Sequence, residues 1–236
     1  MSGDWGRAEL ERAPLGYGGR FYGVYPATVV DVADPDGEGR VKVELPWAPD
    51  DDGVYEVWAR LATMMAGASR GSWFIPDVGD EVLVSFIAGD PRLPCVVGAL
   101  WNGQDAPPES MDGGGQNNLK ALHSHNGIVI SMDDSSGQEK LTLKTPGGHE
   151  ILLDDGGRSI TVTDSNGNKV TMEAAGVTVD TAAKVTVNAG ATVEVTGAMV
   201  KVNAGMSQFS GVVQCNTLIA TTVVGTTYTP GAGNIL

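Results

Sequence analysis

Between Val177 and Asn203 one short phrase keeps returning: Val177-Thr178-Val179, Val185-Thr186-Val187, Val193-Glu194-Val195 and Val200-Lys201-Val202. Successive phrases begin 8, 8 and 7 residues apart. Residues i and i+2 of a strand face the same way, so each phrase reads as a very short strand with two valines on one side. Ala, Asn, Gly and Thr, residues suited to tight turns, fill the gaps. A strand this short cannot bury its own apolar side, and the repeats must stack to make a core. A coil that closes within one chain normally takes about 20 residues or more. Seven or eight residues supply one strand and one turn, a single wall of a triangular prism. Three chains are therefore expected to supply the three walls. Each repeat would bury two valines, roughly 3–5 kcal/mol before entropy costs.

Charge divides the chain in two. From Gly176 to Leu236 the only charged side chains are Asp180, Lys184, Glu194 and Lys201, which cancel, so the whole net charge of −14 lies upstream. Phosphate binding needs a basic surface, and no nucleic-acid partner is expected. Aromatics are only 6% and glycine reaches 33 copies, a turn-rich composition without the large aromatic core of an ordinary enzyme. No run of about 18 apolar residues predicts a membrane span. The opening MSGDWGRAEL lacks the basic and apolar regions of a signal peptide. Cys95 and Cys215 lie in different segments and read as free thiols, which suits cytoplasmic folding.

In chain order, residues 1–20 read as an N-terminal arm with a short helix over Asp4–Arg12. Residues 21–103 carry five strand signals at the spacing of an OB-type barrel. Arg40-Val41-Lys42-Val43-Glu44-Leu45 alternates strictly, and Pro76 with Gly79 sets a turn before Glu81–Phe86. Gly98 reads as a bulge or a close approach of backbones. Pro107-Pro108 and Gly113-Gly114-Gly115 make 104–125 a linker. From Asn126 a coarser repeat begins: Gly127–Asp134 recurs 21 residues later as Gly148–Asp155, and more loosely as Asn166–Glu173. Residues 126–175 are thus expected to start a β-helix with long repeats, 176–224 to form its shaft, and 225–236 its tip.

The segments DPDGEGRVKVELPW, GSWFIPDVGDEVLVSF and GDPRLPCVVGALWN, in this order, resemble the OB domain of the spike family of contractile injection machines. That family includes the phage baseplate assembly protein V and the VgrG spikes. Pro76, Gly79, Asp80, Val82, Phe86, Asp90, Pro91, Pro94, Gly98 and Trp101 carry the likeness. GHEILLDDGGRSITVTDSNGNKVTME resembles the family's passage from OB domain to trimeric, intertwined β-helix. The resemblance implies an all-β homotrimer whose OB collars meet tail-tube and baseplate hub proteins. Its needle would meet the target cell envelope on contraction of the particle, whether phage tail, extracellular phage-like particle or type VI-like apparatus.

The resemblance also implies a tip. Tyr228, Thr229, Pro230, Asn234, Ile235 and Leu236 are the candidate seat for a small PAAR-type protein, against the plainer reading of a frayed tail. His123-Ser124-His125 is the transition-metal candidate. On a strand both imidazoles would face one way, and three-fold symmetry would gather six around an octahedral ion. Some spikes of this family hold iron through such a motif near the tip, whereas here it begins the rod, so the plainer reading is a solvated pair. Asp133-Asp134, Asp154-Asp155 and the run Asp50-Asp51-Asp52 read as turn caps and exposed loops before carboxylate catalysis or calcium binding. No GxSxG elbow, P-loop or dinucleotide fingerprint appears. The chain is expected to be no enzyme and to hold no cofactor. Two rivals stand beside the spike: a β-helical polysaccharide-degrading enzyme using the acidic turns, and a peripheral trimeric fibre or adhesin.

Overall fold

A computed structural model describes residues 19–50 and 53–227. The expected helix over Asp4–Arg12, Asp51 and Asp52 of the acidic run, and the tip residues Tyr228–Leu236 lie outside the described residues. The chain divides into two units, Met1–Asp180 and Thr181–Leu236.

The first unit begins with a closed barrel. Its strands are β1 (Val24–Asp31), β2 (Val41–Asp50), β3 (Gly53–Leu61), β6 (Glu81–Phe86) and β7 (Pro94–Ala99), with a two-residue-per-arm hairpin, β4 (Ala66–Gly67) and β5 (Arg70–Gly71), outside the wall. The order around the barrel is β1-β2-β3-β7-β6, and β6 returns to β1. Only β3 and β7 run parallel, through Arg60 opposite Cys95 and Leu61 opposite Val96. This is the closed five-stranded circuit of an OB barrel. Alternation in the sequence builds it: Val82, Val84 and Phe86 of EVLVSF point inward while Glu81, Leu83 and Ser85 do not. Val29, Val41, Val43, Leu45, Ala59, Val82 and Val84 are 0–1% exposed. One end is closed by aromatics. The rings of Tyr25 and Trp47 stack at 4.6 Å, and Phe21 meets Trp47 and Phe86 edge-on or tilted at 5.2 Å. The Trp47 indole N–H donates to the Pro26 carbonyl at 2.8 Å.

Seven further strands follow: β8 (Leu119–His123), β9 (Val129–Asp133), β10 (Lys140–Lys144), β11 (Glu150–Asp154), β12 (Ser159–Thr163), β13 (Lys169–Glu173) and β14 (Gly176–Asp180). Each pairs antiparallel with its neighbour in sequence, in one sheet ordered β8 to β14. Two expectations are corrected. The linker read over 104–125 ends in strand β8, because Leu119-Lys120-Ala121-Leu122-His123 finds β9 as a partner despite the glycines before it. Within one chain the coarse repeat is a back-and-forth meander rather than coils wound one upon the next.

The second unit, described to residue 227, holds no strand among the described residues. The phrases at 185–187, 193–195 and 200–202, expected as strands, form no ladder here. A three-residue phrase needs a neighbouring backbone to take its N–H and C=O groups, and the single chain offers none. Its backbone nonetheless bends at Gly190, Gly197 and Gly205, in steps of seven and eight residues.

Candidate functional site

Strand register decides what the meander presents. Leu141 lies between Met132 and Leu153, and Leu143 between Ile130 and Ile151. Leu153 then faces Ile160, Ile151 faces Val162, and the rows continue through Met172 and Val170 to Val177 and Val179. Leu122 opposite Ile130 closes the other end. In a sheet, directly opposed residues share a face, so these side chains form one apolar face, two residues wide on every strand from β9 to β14, with Lys120 beside Leu122 on β8. Seven strands about 4.8 Å apart make it about 30 Å long. No described residue of the same unit covers it: most of its residues, from Leu153 at 36% to Val177 at 67%, remain exposed. Soluble monomers rarely show an apolar patch on this scale, which marks an interaction surface.

The opposite face is polar. Lys140 lies in register with Asp133 and Asp154, and Lys144 with Glu150; the Lys140 ammonium sits 3.7 Å from Asp154. One acid of each pair closes a turn. The Ser135 hydroxyl, and then its N–H at 2.9 Å, hold the Asp133 carboxyl below the usual range. Asp154 accepts from the Gly157 N–H at 2.9 Å, and Asp134 lies 3.1 Å from the Lys120 ammonium. In the turn before β13, Asp164 accepts from the Asn168 side-chain amide and from the backbone of Asn166 and Asn168. These bonds, led by the Asn168 side chain, lower its pKa to about 2. Asp34 is likewise held well below the carboxylate range by the Arg40 guanidinium and turn N–H groups. Much of the acidity thus fixes the chain's turns.

The barrel residues singled out above divide by role. Val82 and Phe86 belong to the buried core. Gly79, at φ +102°, adopts a conformation that side chains disfavour. Its N–H donates to Val29 at 2.8 Å, and the Val29 N–H donates to the Asp80 carbonyl at 3.0 Å. Asp80 also closes its own turn by accepting from the Asp77 N–H at 2.9 Å. The half-buried Pro76 introduces this turn. At Gly98 the reason differs from one of those expected. The register slips between Leu83/Gly98 and Val84/Val96, leaving Val97 as a bulge. An added Cβ at Gly98 would meet nothing within 4 Å, so no backbone approaches it closely. Trp101 follows β7 with its ring exposed.

The two histidines part company. His123 ends β8, and its Nε2 lies 3.2 Å from Glu109. His125 sits in the β8–β9 turn, where the Gly127 N–H donates to the Ser124 carbonyl; its Nδ1 lies 3.2 Å from Asp77 of the barrel. They therefore do not share one strand face. Groups of three or more His, Cys, Asp or Glu side chains placed to hold a metal are absent among the described residues. Cys95 and Cys215 are free thiols. A surface missed from sequence is the β4–β5 hairpin with Trp73 and Phe74; the run MMAGASRGSWF contained the signal, four large apolar residues around a turn.

Sequence comparison places both parts. Residues 25–101 match the type VI secretion system/phage-baseplate injector OB domain, and residues 140–207 match the phage baseplate V C-terminal trimerisation domain. The fold and its uncovered face thus define a class of two-part protein, an injector OB barrel followed by a trimerisation segment. The chain belongs to the baseplate V/VgrG-like proteins. It is 32% identical over 145 residues to the type VI secretion system spike protein VgrG1a of Pseudomonas aeruginosa, covering 55% of this chain and 22% of that one. With the spike protein VgrG3 of Vibrio cholerae it shares 30% over 138 residues, 53% of this chain and 14% of that one. With the actin cross-linking toxin VgrG1 of Vibrio cholerae the figure is 27% over 139 residues, 54% and 13%. The matched region spans under a quarter of each of these relatives.

Proposed function

We propose that this chain is the central spike of a contractile injection particle and works as a homotrimer. One observation carries the reading: the apolar face of the meander, open in a single chain, lies largely in the segment that matches a trimerisation domain. Three copies turning that face toward a common axis would bury it and leave the Lys, Thr, Asp and Glu face in water. The valine phrases of the second unit then continue the same packing as a trimeric intertwined β-helix, each chain supplying one wall. The three barrels form a collar that meets tail-tube and baseplate hub proteins. The needle runs forward to Tyr228–Leu236, where a PAAR-type tip protein would sit. Its work is mechanical: contraction drives the narrow rod against the target envelope, and no bond is made or broken. The polysaccharide-degrading rival would need a groove lined with paired carboxylates, and Asp133, Asp154 and Asp164 of the meander are each engaged in a turn.

Negative-stain imaging of particles, with this chain tagged, tests the role. Density on the particle axis below the tube is expected. Density at the periphery would assign a fibre and overturn the reading.

A further inference from the structure

The meander has six turns, and they alternate between its two long edges. The first edge holds those after β8, β10 and β12, the second those after β9, β11 and β13. Five of them place a glycine at positive φ: Gly127, Gly137, Gly148, Gly167 and Gly176, between +74° and +131°. The β11–β12 turn is the exception. It contains Gly156 and Gly157, yet its left-handed residue is Arg158, at φ +49°. A long side chain held there works against the preference of the backbone, which points to a role for it.

Charge suggests that role. Of the meander's Lys and Arg side chains, Lys120 and Lys140 have ion partners. Lys144, Arg158 and Lys169 are exposed and have none among the described residues; Lys144 stands in register with Glu150 without closing an ion pair. Lys144 and Lys169 lie at the first edge, Arg158 at the second. Each has an acid at the same height on the opposite edge: Glu139 for Lys144, Glu150 for Arg158, Glu173 for Lys169. Within one chain these cannot meet, because Lys169 and Glu173 are four strand steps apart, about 14 Å, and Glu150 lies as far from the Asp154 end of β11. Asp155 shares the Arg158 turn, but its short side chain ends closer to the backbone. The second edge is also continuous with the apolar face. Arg158, Asp154 and Asp155 rim a hollow of about 430 Å³ floored by Leu153, Ile160 and Met172.

Three copies set cyclically about their apolar faces put the first edge of each against the second edge of the next, at equal heights. We infer that the corners of the trimer are keyed by charge: Arg158 of one copy pairs with Glu150 of the next, and Lys169 with Glu173. The hollow beside Arg158 then receives Ile151 and Val162, which lie near the first edge at that height. The order of signs sets the register. A slip by one hairpin would bring Arg158 against Lys144 or Lys169, and Glu150 against Glu139 or Glu173, so like charges oppose the wrong alignment. The inference rests on the trimeric reading.

Carbodiimide coupling tests it, since that reagent joins a carboxylate to an amine only where the two touch. The full-length chain is folded from equal parts of copies grown in heavy and in light nitrogen. A mixed-label peptide joining Lys169 to Glu173 is expected from the unaltered chain. Arg158→Lys is expected to add a second, joining the new amine to Glu150, and Glu150→Gln to abolish the second while leaving the first. A trimeric native mass with either mixed-label link absent, or with links between different heights, overturns this inference and leaves the spike reading standing. A monomeric mass overturns both.

Discussion

The barrel and the meander are built from the same material and end in opposite states. Both alternate Val, Ile and Leu with polar residues on short, mostly antiparallel strands. In the barrel the inward-facing apolar side chains of β1, β2 and β6 are sealed from water. In the meander the matching rows from Leu122 to Val179 stay open. The difference is closure. β6 pairs back onto β1, so the barrel's inner face meets itself. The meander's end strands have no such return, and its apolar face can be satisfied only by another surface. One chain thus completes one core and supplies a share of a second.

The largest effect expected is in the closed core. Val43→Asp buries a carboxylate among side chains with no partner, a cost of several kcal/mol against a domain stability of about 5–15 kcal/mol. Circular dichroism should show the barrel unfolded at every protein concentration. Leu153→Asp on the open face should act differently: the barrel's thermal transition survives, while light scattering shows the assembly lost. Thr161→Asp, on the polar face of the adjoining strand, should leave the assembly intact. If the two aspartates behave alike, the distinction between faces fails.

A smaller effect belongs to the turns. Asp164 has a folded-state pKa of about 2, below the usual value near 3.9 for an aspartate. Its contribution is present above about pH 4 and lost as pH falls through about 2. Asp164→Ala should therefore lower the thermal midpoint at pH 6, and the gap to the unaltered chain should close between pH 4 and 2. A gap independent of pH would mean the carboxylate's charge does not hold the turn. The smallest effect is at Gly98: Gly98→Ala should change stability by no more than about 0.5 kcal/mol, since an added Cβ meets nothing.

The barrel was legible because each strand carries its own alternation, and runs such as EVLVSF need only a turn on either side to be read. The all-β class and the OB circuit followed from those runs. Gly98 was read partly wrongly, because a sequence cannot separate a bulge at Val97 from a close approach at the glycine. β8 was hidden because LKALH is short and follows Gly113-Gly114-Gly115; only its pairing with β9 reveals it. His123 and His125 looked like one face because HxH was placed on a strand, whereas the strand ends at His123. The exposed patch around Trp73 is not legible in the sequence because its residues are contiguous rather than periodic, and exposure is set by the folded hairpin. The valine phrases after Asp180 were legible as a repeat, yet their pairing depends on surfaces that one chain does not contain.

The most direct test of the account is the native mass of the folded, full-length chain by light scattering. A trimeric spike gives a mass three times that of one chain, independent of dilution over the working range. A mass equal to one chain, with the barrel still folded, would contradict it.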